Sequence, residues 1–410
     1  MLMDAGLLKR WVRWGLFNLV IVALYGTMMR YKIAYNFPFF EQEHLLHAHS
    51  HFAFGGWVSH LLYSGLAFLI APFITPRRRK HYQALIVLNL LGAFGMLIAF
   101  TIQGYEAVSI IFSTWSILVA VVFAGLFIRD RRQWPAAHPS VPWATGGLLL
   151  NVLSSAGPFF LAYMMATKNL DSRLYLGSIY FYLHFQYNGW FFFGSMALAI
   201  TLLPGSFFSL KTYFRIFIIT AVPAFFLSIH GVALPGWLHL IITLAAVLQP
   251  AAWIALLVRA KTWYRQNRQQ TVSCRAKVFF YAAALALTLK FVLQTLSVLP
   301  SLGQPVFGSR PVVIAYLHLV LLGVYSLFLI GFYIARRMIT VTKTAKAAGA
   351  ILLAGVVFNE LFLATQAFAA FAYMPVPFMN EGLLGAAMLL LAGAGGICLS
   401  QSRAGKTATS

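Results

Sequence analysis

The sequence predicts an all-α protein, a polytopic bundle of twelve transmembrane helices, and three observations predict it. Hydrophobic residues make up 61% of the 410 residues and charged residues only 9%, too few to solvate the surface of a water-soluble chain of this length. Apolar runs of about 20 residues or more, the length that crosses roughly 30 Å of hydrocarbon, recur twelve times along the chain. The Lys and Arg residues between them collect in every second connection, the alternation expected where one side of a membrane is preferred.

Span 1 (15–33) follows Lys9, Arg10 and Arg13. No small-residue cleavage site follows its apolar stretch, so it reads as a helix and not as a removed signal. Span 2 (49–73) precedes Arg77, Arg78, Arg79 and Lys80; span 3 (84–103) leads through a short connection to span 4 (108–128), which ends at Arg129, Arg131 and Arg132. Spans 5 (142–167) and 6 (175–203) precede Lys211 and Arg215 at the start of span 7 (212–230). Span 8 (236–258) ends in the basic run from Arg259 to Lys277, before span 9 (276–300). Span 10 (311–335) precedes Arg336, Arg337, Lys343 and Lys346, and spans 11 (345–372) and 12 (380–400) lead to Arg403 and Lys406.

Of 30 basic residues, 24 fall on one side, Arg30, Lys32, Lys168, Arg173 and Arg310 on the other, and Lys290 inside a span. The positive-inside rule makes the first side cytoplasmic and places both termini there, as in a bacterial-type inner membrane. The net charge of +22 therefore reports topology and not a nucleic-acid partner. With short connections throughout, residues 1–410 read as one integral membrane domain whose partner is the lipid bilayer. Cys274 and Cys398 are the only cysteines, without a CxxC or CxxCH motif, which leaves a disulfide framework, a covalent c-type haem and a thiolate copper centre unsupported.

The eleven histidines carry the functional signal. On this topology His44, His47, His49 and His51 lie near the outer end of span 2, His184 in the outer part of span 6, His230 at the end of span 7, His239 early in span 8 and His318 early in span 10. Only His60, His81 and His138 fall elsewhere. Any one of them is more often a hydrogen-bonded side chain than a ligand. Imidazoles delivered by five helices to a similar depth point instead to a metal or haem, because an intramembrane ionisable group is costly unless paired, ligated or hydrated. His49 and His51, two residues apart, face opposite sides of a helix, so periodicity alone leaves the choice between them open. His51 and His318 share one further feature: each is followed at the fifth position by glycine, Gly56 and Gly323.

Several segments carry a family resemblance. They are Thr101-Ile-Gln-Gly-Tyr-Glu106, His184-Phe-Gln-Tyr-Asn-Gly-Trp190, Ala233-Leu-Pro-Gly-Trp237, Leu248-Gln-Pro250 and Tyr316-Leu-His318 through Gly323-Val-Tyr325. In this order, on twelve spans with cytoplasmic ends, they resemble subunit I of the haem-copper oxidase superfamily, nearest to its nitric oxide reductase and C-type oxidase branches. The resemblance implies a bis-His low-spin haem b held by His318 and a histidine of span 2. His51 is favoured by its distance to Pro72, and His49 is second.

The departures from that pattern fall on the gas-reducing half. Tyr316 stands where the family has its high-spin haem histidine, and Leu227 and Ser228 align with the copper-binding pair, two positions before His230. His184 keeps its copper-ligand position, while Asn188 and Phe192 replace the reductase glutamates. A second haem or a copper ion would then depend on Tyr316 and on a metal group made of His184, His230 and His239. Three readings stay open: a haem-binding electron-transfer protein fed by a separate cytochrome or cupredoxin; a divergent nitric oxide or oxygen reductase; and a non-redox transporter or metal-handling protein. Lys290 and Glu360, the remaining charges inside spans, read equally as proton-path elements and as structural groups.

Overall fold

The computed structural model describes residues 5–135, 138–168, 171–203, 210–229, 235–266, 272–299, 301–303 and 309–406. The described residues are helical, without strands. Twelve long helices carry the chain: α1 (Ala5–Ala34), α2 (Gln42–Phe73), α3 (Pro76–Gln103), α4 (Ala107–Gln133), α5 (Ser140–Thr167), α6 (172–200), α7 (Lys211–Ser228), α8 (Gly236–Gln266), α9 (Cys274–Leu296), α10 (Arg310–Ala335), α11 (Lys343–Ala372) and α12 (Met379–Lys406). Among the described residues eleven of them are long and apolar enough to cross a membrane, which makes the chain a multi-pass helical protein. The twelfth, α6, falls outside that set because Arg173, Tyr175, Tyr180, Tyr182, His184, Gln186, Tyr187 and Asn188 lower its hydropathy. Most helices begin before the apolar stretch that announces them: the backbone turns start at a cap, such as Thr75, whose hydroxyl accepts the Arg78 N–H, or Thr342, which accepts that of Ala345.

Contacts divide the chain into two compact units, residues 1–123 with 329–410, and residues 124–328. In the first, Ala48 and Phe52 of α2 pack with Ala93, Met96, Leu97 and Phe100 of α3, and Ile21, Val22 and Tyr25 of α1 close over them. Helices α11 and α12 lie so close that a Cβ at Gly393 would stand 2.6 Å from the Leu352 backbone. Small residues permit that approach, and close packing replaces the hydrophobic driving force that lipid does not supply.

The second unit is built around aromatic rings. Trp143 of α5, fully buried, meets Phe192 and Phe193 of α6 and Phe214 and Phe217 of α7. Helices α5 and α6 touch backbone to backbone at Gly157, where a Cβ would fall 2.5 Å from the Ser178 carbonyl oxygen. Asp171 starts α6 by accepting the N–H groups of Arg173 and Leu174.

Candidate functional site

Among the described residues, three helices lose their α-helical hydrogen-bond register for a short stretch, and each does so within two residues of a histidine. The π-helical turns are Ala53–Ser59 in α2, Phe185–Phe191 in α6 and Leu319–Ser326 in α10. They follow His51 after one intervening residue, and His184 and His318 with none. Each histidine has glycine at its fifth following position: Gly56, Gly189 and Gly323. The sequence reading paired the first and third of these. The second was legible in the same way, because His184-Phe-Gln-Tyr-Asn-Gly-Trp190 repeats His51-Phe-Ala-Phe-Gly-Gly-Trp57 at four of seven positions.

A π turn leaves backbone carbonyls without their usual partners, and buried carbonyls must be satisfied. Side chains do so in all three. Asn18 donates to the Gly56 carbonyl and Asn89 to that of Gly55. The Tyr325 hydroxyl donates to the Tyr187 carbonyl, and the Ser326 hydroxyl to that of Leu321. Such turns cost regular bonding and concentrate at functional sites.

In the first unit, His44, His47 and His51 lie on one stripe of α2, facing the connection after α3. Gly104, in the left-handed region at φ 64°, leaves room for the His44 ring, which a Cβ there would meet at 2.5 Å. The Tyr105 ring packs edge-on to His47 at 4.5 Å, and its hydroxyl bonds His51 Nε2 at 2.8 Å. His51 also stacks on Phe100, 4.5 Å between centroids. His49 points the other way, its Nδ1 3.0 Å from the Val22 carbonyl oxygen of α1. A carbonyl only accepts, so Nδ1 carries the proton and Nε2 the lone pair. Tyr105 is thus a partner of the site that sequence reasoning placed only within a motif.

In the second unit, His318 Nδ1 lies 2.8 Å from the Ile314 carbonyl oxygen, so again the lone pair sits on Nε2. A ring fixed by a backbone carbonyl at one nitrogen is the arrangement that metal-binding histidines use. His184 donates from Nε2 to the Ala221 carbonyl at 2.8 Å and accepts at Nδ1 from Asn188 at 3.1 Å, so both of its ring nitrogens are engaged. Next to it, the Tyr187 ring lies 6.2 Å from the His184 ring and edge-on to that of Tyr316 at 5.9 Å. Two of the positions that the family resemblance would give to copper and to the high-spin haem, 184 and 316, therefore lie beside one tyrosine. Tyr187 had not been singled out from the sequence.

His239 is exposed at the start of α8, and His230 lies outside the described residues. Among the described residues no three His, Cys, Asp or Glu side chains form a metal-binding group. No protein-family model and no curated protein matches the chain.

Proposed function

We propose that the chain is a haem-binding membrane protein of the haem-copper oxidase subunit I type, with twelve spans including α6, both termini cytoplasmic, in a bacterial-type inner membrane. On this reading it carries one low-spin haem b in electron transfer, and the gas-reducing half of the family's site is depleted of its ligands. The observation that carries the proposal is the repeated histidine, π turn and glycine of α2, α6 and α10. One unusual backbone device is used three times, each beside a histidine, in spite of its bonding cost.

The donor chemistry fits the group. His318 holds its Nε2 lone pair in the tautomer that iron needs, and so does His49. His51 has the matching glycine offset and the spacing to Pro72. Bound haem would supply reversible one-electron transfer; the chain would fix the two imidazoles, keep water from the iron and receive electrons from a separate cytochrome or cupredoxin partner. The resemblance would give Tyr316 a place at a second haem, yet its ring packs against that of Tyr187, and His184 spends both ring nitrogens within the protein. A metal at His184, with or without His230 and His239, would have to displace one of those bonds.

Reduced-minus-oxidised absorbance of the purified full chain tests the reading. We expect the band of a bis-His haem b, lost in His318→Ala and in one of His51→Ala and His49→Ala. A spectrum unchanged by His318→Ala overturns the ligand assignment. A preparation without haem leaves the non-redox transporter reading, and a second haem that responds to added nitric oxide supports the divergent reductase.

A further inference from the structure

Lys290 of α9 is 3% exposed. The second unit contains only two carboxylates, Asp130 and Asp171. Asp130 is the last residue of α4 before its closing turn, and Asp171 caps α6. Lys290 pairs with neither. Its Nζ donates to Gln294 Oε1 at 2.6 Å and lies 4.4 Å from the centre of the Phe291 ring.

The surrounding polar groups form a chain with one sense. Gln294 donates to Gln249 Oε1 at 2.8 Å, Gln249 donates to the Thr220 hydroxyl at 3.1 Å, and Thr220 donates to the Ile216 carbonyl. Gln249, Gln294 and Thr220 are all buried. Each amide in the chain turns its oxygen toward the lysine side and its N–H away from it, the orientation that solvates a positive charge. An ammonium has three donors, and this chain takes one of them.

Beside Lys290 is a cavity of about 10 Å³, lined also by Asn188, Phe217, Gln249, Phe291 and Tyr325. It has room for a single particle of the size of a water molecule or a halide ion. A water would complete hydrogen bonds but leave the charge, and a buried charge without a counter-ion is the costly arrangement. Asn188 adds an amide whose Nδ2 already donates to His184. The second unit supplies here a cation with unused N–H groups, and no carboxylate.

We propose that this cavity binds a small inorganic anion of halide size, chloride in the cell, as the counter-ion of Lys290. The site is independent of haem. Its test uses the purified full chain, with thermal unfolding followed in sodium gluconate progressively exchanged for sodium chloride or bromide at constant ionic strength. The unsubstituted protein should melt higher as halide rises, saturating after a shift of about 2–4 °C or more, and Lys290→Met should melt at one temperature in all three salts. Lys290→Gln is read in its place if the methionine variant is not recovered folded.

No halide-specific shift in the unsubstituted protein overturns the proposal in favour of water or an uncharged amine, and an equal shift in the variant moves the anion elsewhere. Anomalous scattering from bromide in crystals of the unsubstituted chain reads the same site without a variant. A peak beside Lys290 supports it, and a cavity without one overturns it.

Discussion

The Tyr325 hydroxyl donates to the Tyr187 carbonyl, so one side chain ties α10 to the π turn of α6 within the second unit. Tyr325→Phe keeps the ring and leaves that carbonyl without the hydroxyl; we expect a loss of about 1–3 kcal/mol in unfolding free energy, read by denaturant titration in mixed micelles. His138, between α4 and α5, gives a pH effect outside the membrane. Burial against the Trp134 ring, 5.4 Å away, lowers its pKa from the usual 6.5, and its Nδ1 accepts the Ser140 N–H. The fold therefore favours the neutral ring. Its contribution is present above the unfolded pKa and is lost as pH falls below about 6.5. Melting temperatures at pH 8 and pH 5 should differ less in His138→Gln than in the natural chain. At this scale the sequence was legible where a residue type is costly: Lys290 and the outer histidines stood out because charge and imidazole are rare inside a bilayer. Tyr325 and Tyr105 did not, since tyrosine is common in membrane proteins and nothing in its spacing distinguishes a hydroxyl that bonds another helix from an interfacial one.

Helices α11 and α12 offer a controlled comparison of one substitution in two settings. Gly393→Ala drives a Cβ to 2.6 Å from the Leu352 backbone, whereas nothing lies within 4 Å of one at Gly385. The first should cost about 1–3 kcal/mol by overpacking. The second should be neutral or stabilise by up to about 1 kcal/mol through helix propensity. Unfolding of both variants under one set of conditions checks the contrast, and equal effects would contradict the close approach. The helices themselves were legible, their ends less so: the stretch 311–335 corresponds to Arg310–Ala335, while 15–33, 49–73 and 84–103 mark only the apolar parts of Ala5–Ala34, Gln42–Phe73 and Pro76–Gln103. Hydropathy marks the part of a helix that sits in lipid; the turns beyond it, such as those of Arg77 to Lys80 in α3, follow from capping and backbone bonding. The π turns were beyond reach, because a change of hydrogen-bond partner leaves no mark on polarity. Only the repeated glycine offset hinted at them.

For the whole molecule, the basic residues predict sidedness, 24 on one side against five on the other. In a background with Cys274 and Cys398 replaced by serine, Lys168→Cys and Arg310→Cys should both react with a membrane-impermeant maleimide added outside intact cells, and Arg132→Cys should not. The pair also decides α6, the helix whose tyrosines and amides hold its hydropathy down. If α6 does not cross, Arg310→Cys is protected while Lys168→Cys still reacts.

The π turns have a consequence for chain length. A helix accommodates one inserted residue as such a turn while its two flanking faces stay in phase, so α2, α6 and α10 each contain one residue more than an uninterrupted α-helix between the same ends would need. Deleting Gly55, Asn188 or Leu322 singly should let that helix anneal into regular winding, sparing the membrane fold while rotating its histidine away from the neighbours described above. Length and polarity thereby become separable variables in this protein, and a deletion can silence one imidazole without changing any side chain that remains.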